Sequence, residues 1–118
     1  MATHNETGKL GETMATQWAV NNGFGIIAVN WRYRKLEIDL IALKDDKLHF
    51  FEVKTRRNNR FGYPEARVGK KKLFHFICAG TAFIRLYPQY KWVRFNILSI
   101  TLSKENSPSY FLIEDIYL

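Results

Sequence analysis

Two apolar runs, 37–43 and 48–54, flank Asp45-Asp46, and this arrangement constrains the fold more than any other feature of the chain. Both runs are rich in Ile, Leu, Val and Phe, as strands are, and the acidic pair between them suits a tight turn. They predict an antiparallel hairpin. With a loop of either two or four residues centred on Asp45-Asp46, paired residue numbers sum to 91, setting Asp39 opposite Glu52 and Glu37 opposite Lys54. Side chains alternate with period two, so these four share one sheet face, continued by Ile41, Leu43, Leu48 and Phe50. Ile38, Leu40, Ala42, Phe51 and Val53 cover the other face, with His49 as its polar exception. A one-residue slip would dissolve the cluster.

Two carboxylates directly opposite each other repel, and apolar surroundings raise the cost of ionising both. A divalent cation compensates directly, and hard oxygen ligands suit magnesium or manganese bridging Asp39 and Glu52. Lys54 would then orient or help deprotonate an attacking water and offset charge on a pentavalent phosphorus. The alternative is a solvated sheet end, in which Glu37 pairs with Lys54 and Asp39 is exposed.

Around this hairpin the periodicities predict one further strand before it (25–34), two after it (92–102 and 110–117), and helices over 8–22 and 70–86. Leu10, Met14, Ala15, Trp18 and Ala19 form the apolar stripe of the first helix, and Glu12 lies off its centre. The order αβββαββ implies an α/β fold, a mixed central sheet flanked by helices. At 118 residues, 47% of them hydrophobic, the chain suits a single domain over 1–118. The start of the chain lacks an apolar signal region and no run is long enough to span a membrane, which predicts a cytoplasmic protein without a membrane partner. Cys78, the only cysteine, excludes an internal disulfide and reads as a small buried apolar residue.

Lys and Arg total 18 against 11 acids, and the excess is concentrated. Lys54, Arg56, Arg57, Arg60, Arg67, Lys70, Lys71 and Lys72 crowd one stretch against Glu65 alone, and Arg32, Arg34 and Lys35 make a second cluster. Such clusters suit a polyanion, though surface cations also serve solubility. Lys70, Lys71 and Lys72 occupy the first turn of the second helix, where the macrodipole disfavours cations. A bound phosphate backbone would resolve that conflict.

The stretches "GETMA", "NWRYRKLEIDLIA", "FFEVKTR", "RFGYPEARV" and "RFNILSI" together resemble the YraN family of small predicted endonucleases. That family is similar to the PD-(D/E)xK nuclease superfamily and, in fold, to archaeal Holliday-junction resolvases. The resemblance spans nearly the whole chain and implies a restriction-endonuclease-like core. It matches Asp39 to the metal-binding acid of the second strand, Glu52 and Lys54 to the E-x-K pair, and Glu12 to the acid of the first helix. It also implies that the Val53 carbonyl joins the metal site and that Lys72 is the basic residue of the next helix. Two positions depart from the pattern: Leu36 replaces a glycine, and Asn96 replaces an acid in the later strand.

Three functions follow. The leading one is a magnesium-dependent endonuclease cutting structured or branched DNA, its backbone held by Lys70, Lys71, Lys72, Arg32, Arg34, Arg56, Arg57 and Arg60. The second is a nucleic-acid-binding module that keeps the nuclease fold without catalysis. The third is an interaction domain whose last strand, "YFLIEDIYL", extends a partner's sheet or forms a homodimer.

Overall fold

The structure, a computed structural model, describes residues 4–57, 69–104 and 107–116. Its elements are α1 (His4–Asn21), β1 (Gly25–Tyr33), β2 (Leu36–Lys44), β3 (Lys47–Arg57), α2 (Lys70–Leu86), β4 (Val93–Leu102) and β5 (Ser109–Ile113). The expected order αβββαββ is the observed one. The strands form one sheet in the order β1-β2-β3-β4-β5. Only the β3–β4 pair is parallel, so α2 is the crossover that joins them.

The hairpin closes as its turn chemistry requires. Asp45 and Asp46 both take the left-handed region, with φ of 52° and 64°, which is the type I′ geometry of a two-residue loop. Pairing runs from Lys44–Lys47 to Leu40–Phe51, and every pair sums to 91.

Each face of the sheet carries one helix and one apolar cluster. On the α1 side Ala15 and Ala19 pack with Leu40, Ala42, Phe51, Leu98 and Ile100. On the α2 side Phe76, Ala79 and Phe83 pack with Ile38, Ile41, Leu48 and Phe50. Ile38 is therefore not on the face that strict alternation assigned to it. Its partner Trp31 belongs to the same α2-side cluster as Ala28, three residues earlier, so both strands change face between the pairs Val29–Leu40 and Trp31–Ile38. Asn30, with φ of 53°, sits at that break.

Other boundaries moved less. Helix α1 begins at His4 rather than Gly8, β3 runs on to Arg57, and β5 ends at Ile113, short of the expected 117. Past β5 the chain turns at Asp115 (φ 60°), and the Ile116 N–H donates to the Phe95 carbonyl at 2.8 Å, which ends the strand. Leu10 is exposed, and the buried line of α1 is Gly11, Ala15 and Ala19, small residues that let the helix lie close to the sheet. Cys78 is half-buried rather than buried. Among the described residues no helix is long and apolar enough to cross a membrane.

Gly11 sets the approach of α1 to β3: a Cβ there would overlap the side chain of Thr55, including its Cβ. Helix propensity favours Ala by about 1 kcal/mol, but forcing a methyl into a close contact costs roughly 1–3 kcal/mol. Gly11→Ala is expected to lower stability, by up to about 2 kcal/mol in urea denaturation, although the same change is stabilising in an open helix.

Candidate functional site

The hairpin register carries Asp39 and Glu52 to the first position beyond the last recorded pair, Leu40–Phe51. In a hairpin closed by the pair Lys44–Lys47, alternate residues of β3 turn their N–H toward β2, and Val53 is one of them. Its N–H finds the Asp39 carboxylate: Val53 N donates to Asp39 Oδ2 at 2.7 Å. The Asp39 side chain thus takes the place of a backbone carbonyl between the strands. It remains near the other acids, since the charges of Glu52 and Glu37 both act on it. The break at Asn30 lies at the same level of the sheet, between the pairs Val29–Leu40 and Trp31–Ile38.

Four elements bring the acids and the lysine together. Glu12 of α1, Asp39 of β2 and Val53 of β3 line a cavity of about 150 Å³ with Thr7, Gly8 and Thr55. Glu52, 6% exposed, projects toward α2, where Lys72 Nζ lies 2.9 Å from its Oε1. Glu12 is held from the other side, accepting a 2.9 Å hydrogen bond at Oε2 from Asn30 Nδ2.

The electrostatics follow from this crowding. Burial pushes the Asp39 carboxyl up to about 7, and the charges of Glu52 and Glu37 push the same way, against the Val53 N–H and Lys72. Burial also raises Glu52, opposed mainly by its hydrogen bond to Lys72, and that bond raises Lys72 in turn. The pair of acids is therefore reluctant to carry two charges unaided. Hard carboxylate oxygens on Asp39 and Glu52, with Glu12 beside Asp39, are donors that suit magnesium or manganese. Among the described residues, however, no group of three or more His, Cys, Asp or Glu side chains is gathered tightly enough to form a ready-made metal cage.

The other basic residues lie at the start of α2, along β3 and around the end of β1. Lys70 and Lys71 are exposed at the start of α2, whose N-cap Gly69 offers no side-chain cap and whose first turn holds no acid. Lys54 and Arg56 are half-buried on β3. Arg57 reaches Thr7 Oγ1 of α1 at 3.4 Å. Arg32 pairs with Glu37 at 3.5 Å between exposed side chains, and Arg34 lies over the Tyr33 ring. Arg60 and the stretch 60–68 fall outside the described residues.

Asn96 lies elsewhere. It is fully buried toward the hairpin turn, where Asp115 N donates to its Oδ1 at 3.1 Å and its Nδ2 meets His49 Nδ1 at 2.9 Å. The amide orientation leaves Nδ1 as acceptor and the imidazole proton on Nε2, and burial lowers the His49 pKa, keeping the ring neutral. This position holds β4 to the segment after β5 and does not serve the Asp39–Glu52 site. Leu36 is partly buried against the α2-side cluster.

Sequence reasoning missed Asn30. The available signal was an Asn inside "GIIAVNWRY", a poor strand former in an otherwise apolar run.

Residues 11–100 match a family model described as "Uncharacterised protein family UPF0102". A "UPF0102 protein" of Phocaeicola vulgatus is 42% identical over 116 residues, 98% of this chain and 93% of that protein. One from Parabacteroides distasonis is 35% identical over the same shares of both chains. One from Dictyoglomus thermophilum is 41% identical over 84% of this chain and 85% of the relative.

The raised Asp39 carboxyl has a stability consequence. Its folded value of about 7 lies above its ordinary value of 3.8, so the folded state holds the proton more tightly. The stability that this proton contributes is complete below about pH 4 and is lost as pH rises through 7. Asp39→Asn, which has no such proton to lose, is expected to be more stable than the parent at pH 8 in EDTA by roughly 2 kcal/mol, after discounting for solvent screening. The two should converge near pH 4 in thermal denaturation.

Proposed function

The chain belongs to the UPF0102 (YraN) family, and from that premise we propose that it is a divalent-metal-dependent endonuclease acting on structured or branched DNA. The observation that carries this reading is the Asp39 carboxylate, set between two parting strands, raised toward neutrality and crowded by Glu52. A fold that needed only stability would place a backbone carbonyl there.

In this reading Asp39 and Glu52 hold magnesium or manganese, with Glu12 and the Val53 carbonyl in support, and the cation supplies Lewis acidity at the scissile phosphate. Lys54 orients the attacking water and offsets charge as the water's oxygen bonds to phosphorus and releases a proton to solvent; the P–O bond to the leaving sugar breaks, and the leaving oxygen takes up a proton from solvent. Lys70 and Lys71, at the N-terminus of α2, hold the neighbouring phosphates together with Arg56 and Arg57. Lys72, 2.9 Å from Glu52, would share that carboxylate with a bound cation.

The second reading, a binding module without catalysis, has its own support. Glu52 is already engaged by Lys72, and the described residues offer no ready-made metal cage.

Purified protein with magnesium or manganese, incubated with single-stranded, duplex, flap and four-way-junction DNA, separates the two. Cleavage that falls at least about a hundredfold in Asp39→Ala and Glu52→Ala, with binding retained, is the expected result. No cut at protein excess on any of the substrates it binds leaves only the binding module. In either case, replacing Lys70 and Lys71 by Gln is expected to weaken DNA binding and to flatten the slope of log K against log salt by about 1–2.

A further inference from the structure

Among the described residues, positive φ in non-glycine residues occurs at Asn30, Arg34, Asp45, Asp46 and Asp115. Four of these lie in chain reversals; Asn30 alone sits inside a strand. A left-handed residue in a strand interior interrupts the ladder and costs energy that Gly, Asn and Asp bear better than other residues. Such a conformation persists where the surroundings require it, and commonly at functional sites.

The surroundings here are two of the site's acids. Continuing the β1–β2 register, in which residue numbers sum to 69 from Ala28–Ile41 to Tyr33–Leu36, places Asn30 opposite Asp39. Both lie between the recorded pairs Val29–Leu40 and Trp31–Ile38, where the two strands change face. From that point the Asn30 amide donates to Glu12 Oε2 at 2.9 Å. Glu12 has two places to turn: it lines the cavity it shares with Asp39 and also a second groove, of about 310 Å³, beside Val20 and Val29.

We infer that Asn30 is a positioning residue for the candidate site, its left-handed backbone opening the sheet at Asp39 while its amide holds the Glu12 carboxylate beside that opening. The inference rests on the metal-site reading above. Asn suits both tasks, because it tolerates the backbone conformation and carries an uncharged donor. Gly serves the first task alone. Asp tolerates the backbone but would present a second carboxylate to Glu12.

Titration calorimetry with Mn²⁺, run on the parent, Asn30→Gly, Asn30→Asp, Glu12→Ala and the double variant Asn30→Gly/Glu12→Ala, tests the inference. Asn30→Gly is expected to keep the parent's melting temperature within a few degrees while Mn²⁺ affinity falls about three- to tenfold. Asn30→Asp is expected to lose more. In the Glu12→Ala background, Asn30→Gly should change affinity by less than about twofold, since its effect runs through Glu12. Parent-like affinity in Asn30→Gly, or a loss that persists undiminished without Glu12, overturns the positioning role alone. A parent protein that binds no Mn²⁺ overturns the metal-site reading and this inference with it.

Discussion

The bond from the Val53 N–H to the Asp39 carboxylate is the constraint around which the rest of the site is organised. A backbone N–H turned toward a neighbouring strand must be satisfied, and a side chain that satisfies it must lie between the strands, partly out of water. The bond itself favours the ionised carboxylate, yet the burial that comes with it works the other way and wins, leaving Asp39 near 7. Two other features are consistent with this one contact. Gly11 lets α1 come close enough to β3 to bring Glu12 over the opening, and Asn30 supplies the break in β1 at the same level.

Much of this fold was legible in the chain because the signals were local. The hairpin register followed from the turn residues and the period-two pattern, and all five recorded pairs obey it. The bounds of α2 followed from its apolar spacing and the polar residues around it. What stayed hidden depends on contacts between distant segments. Alternation is a rule for an unbroken strand, so it misplaced Ile38 beyond the break. Leu10 fits the apolar spacing of α1 but is exposed, because the small residues Gly11, Ala15 and Ala19 form the buried line of the helix. The Asn30–Glu12 bond joins residues 18 apart in the chain, and neither residue taken alone announces it.

The lysines at the start of α2 show how a local conflict can have more than one answer. Three cations at a helix N-terminus, with no acid and no side-chain cap, invite a bound anion. For Lys72 the anion is supplied within the protein, by Glu52 at 2.9 Å. That bond joins a buried acid to a largely exposed ammonium, so its loss would cost the acid more than the lysine. Lys70 and Lys71 are exposed, and the conflict sequence analysis identified there is the one a phosphate backbone would relieve.

The two ends of the sheet carry their polar groups differently, and the difference bears on what each can do. Toward the turn, His49 and Asn96 are buried as neutral groups, each directing hydrogen-bonding atoms at a partner, and that network ties down the chain after β5. At the opening, Glu12, Asp39 and Glu52 are each held by a donor from a different element: the Asn30 amide of β1, the Val53 N–H of β3 and the Lys72 ammonium of α2. A carboxylate accepts about four hydrogen bonds, so one donor fixes its direction without using up its oxygens. Acids restrained in this way resist collapse onto one another yet keep lone pairs available, which is the condition a cation or a polarised water requires of its ligands.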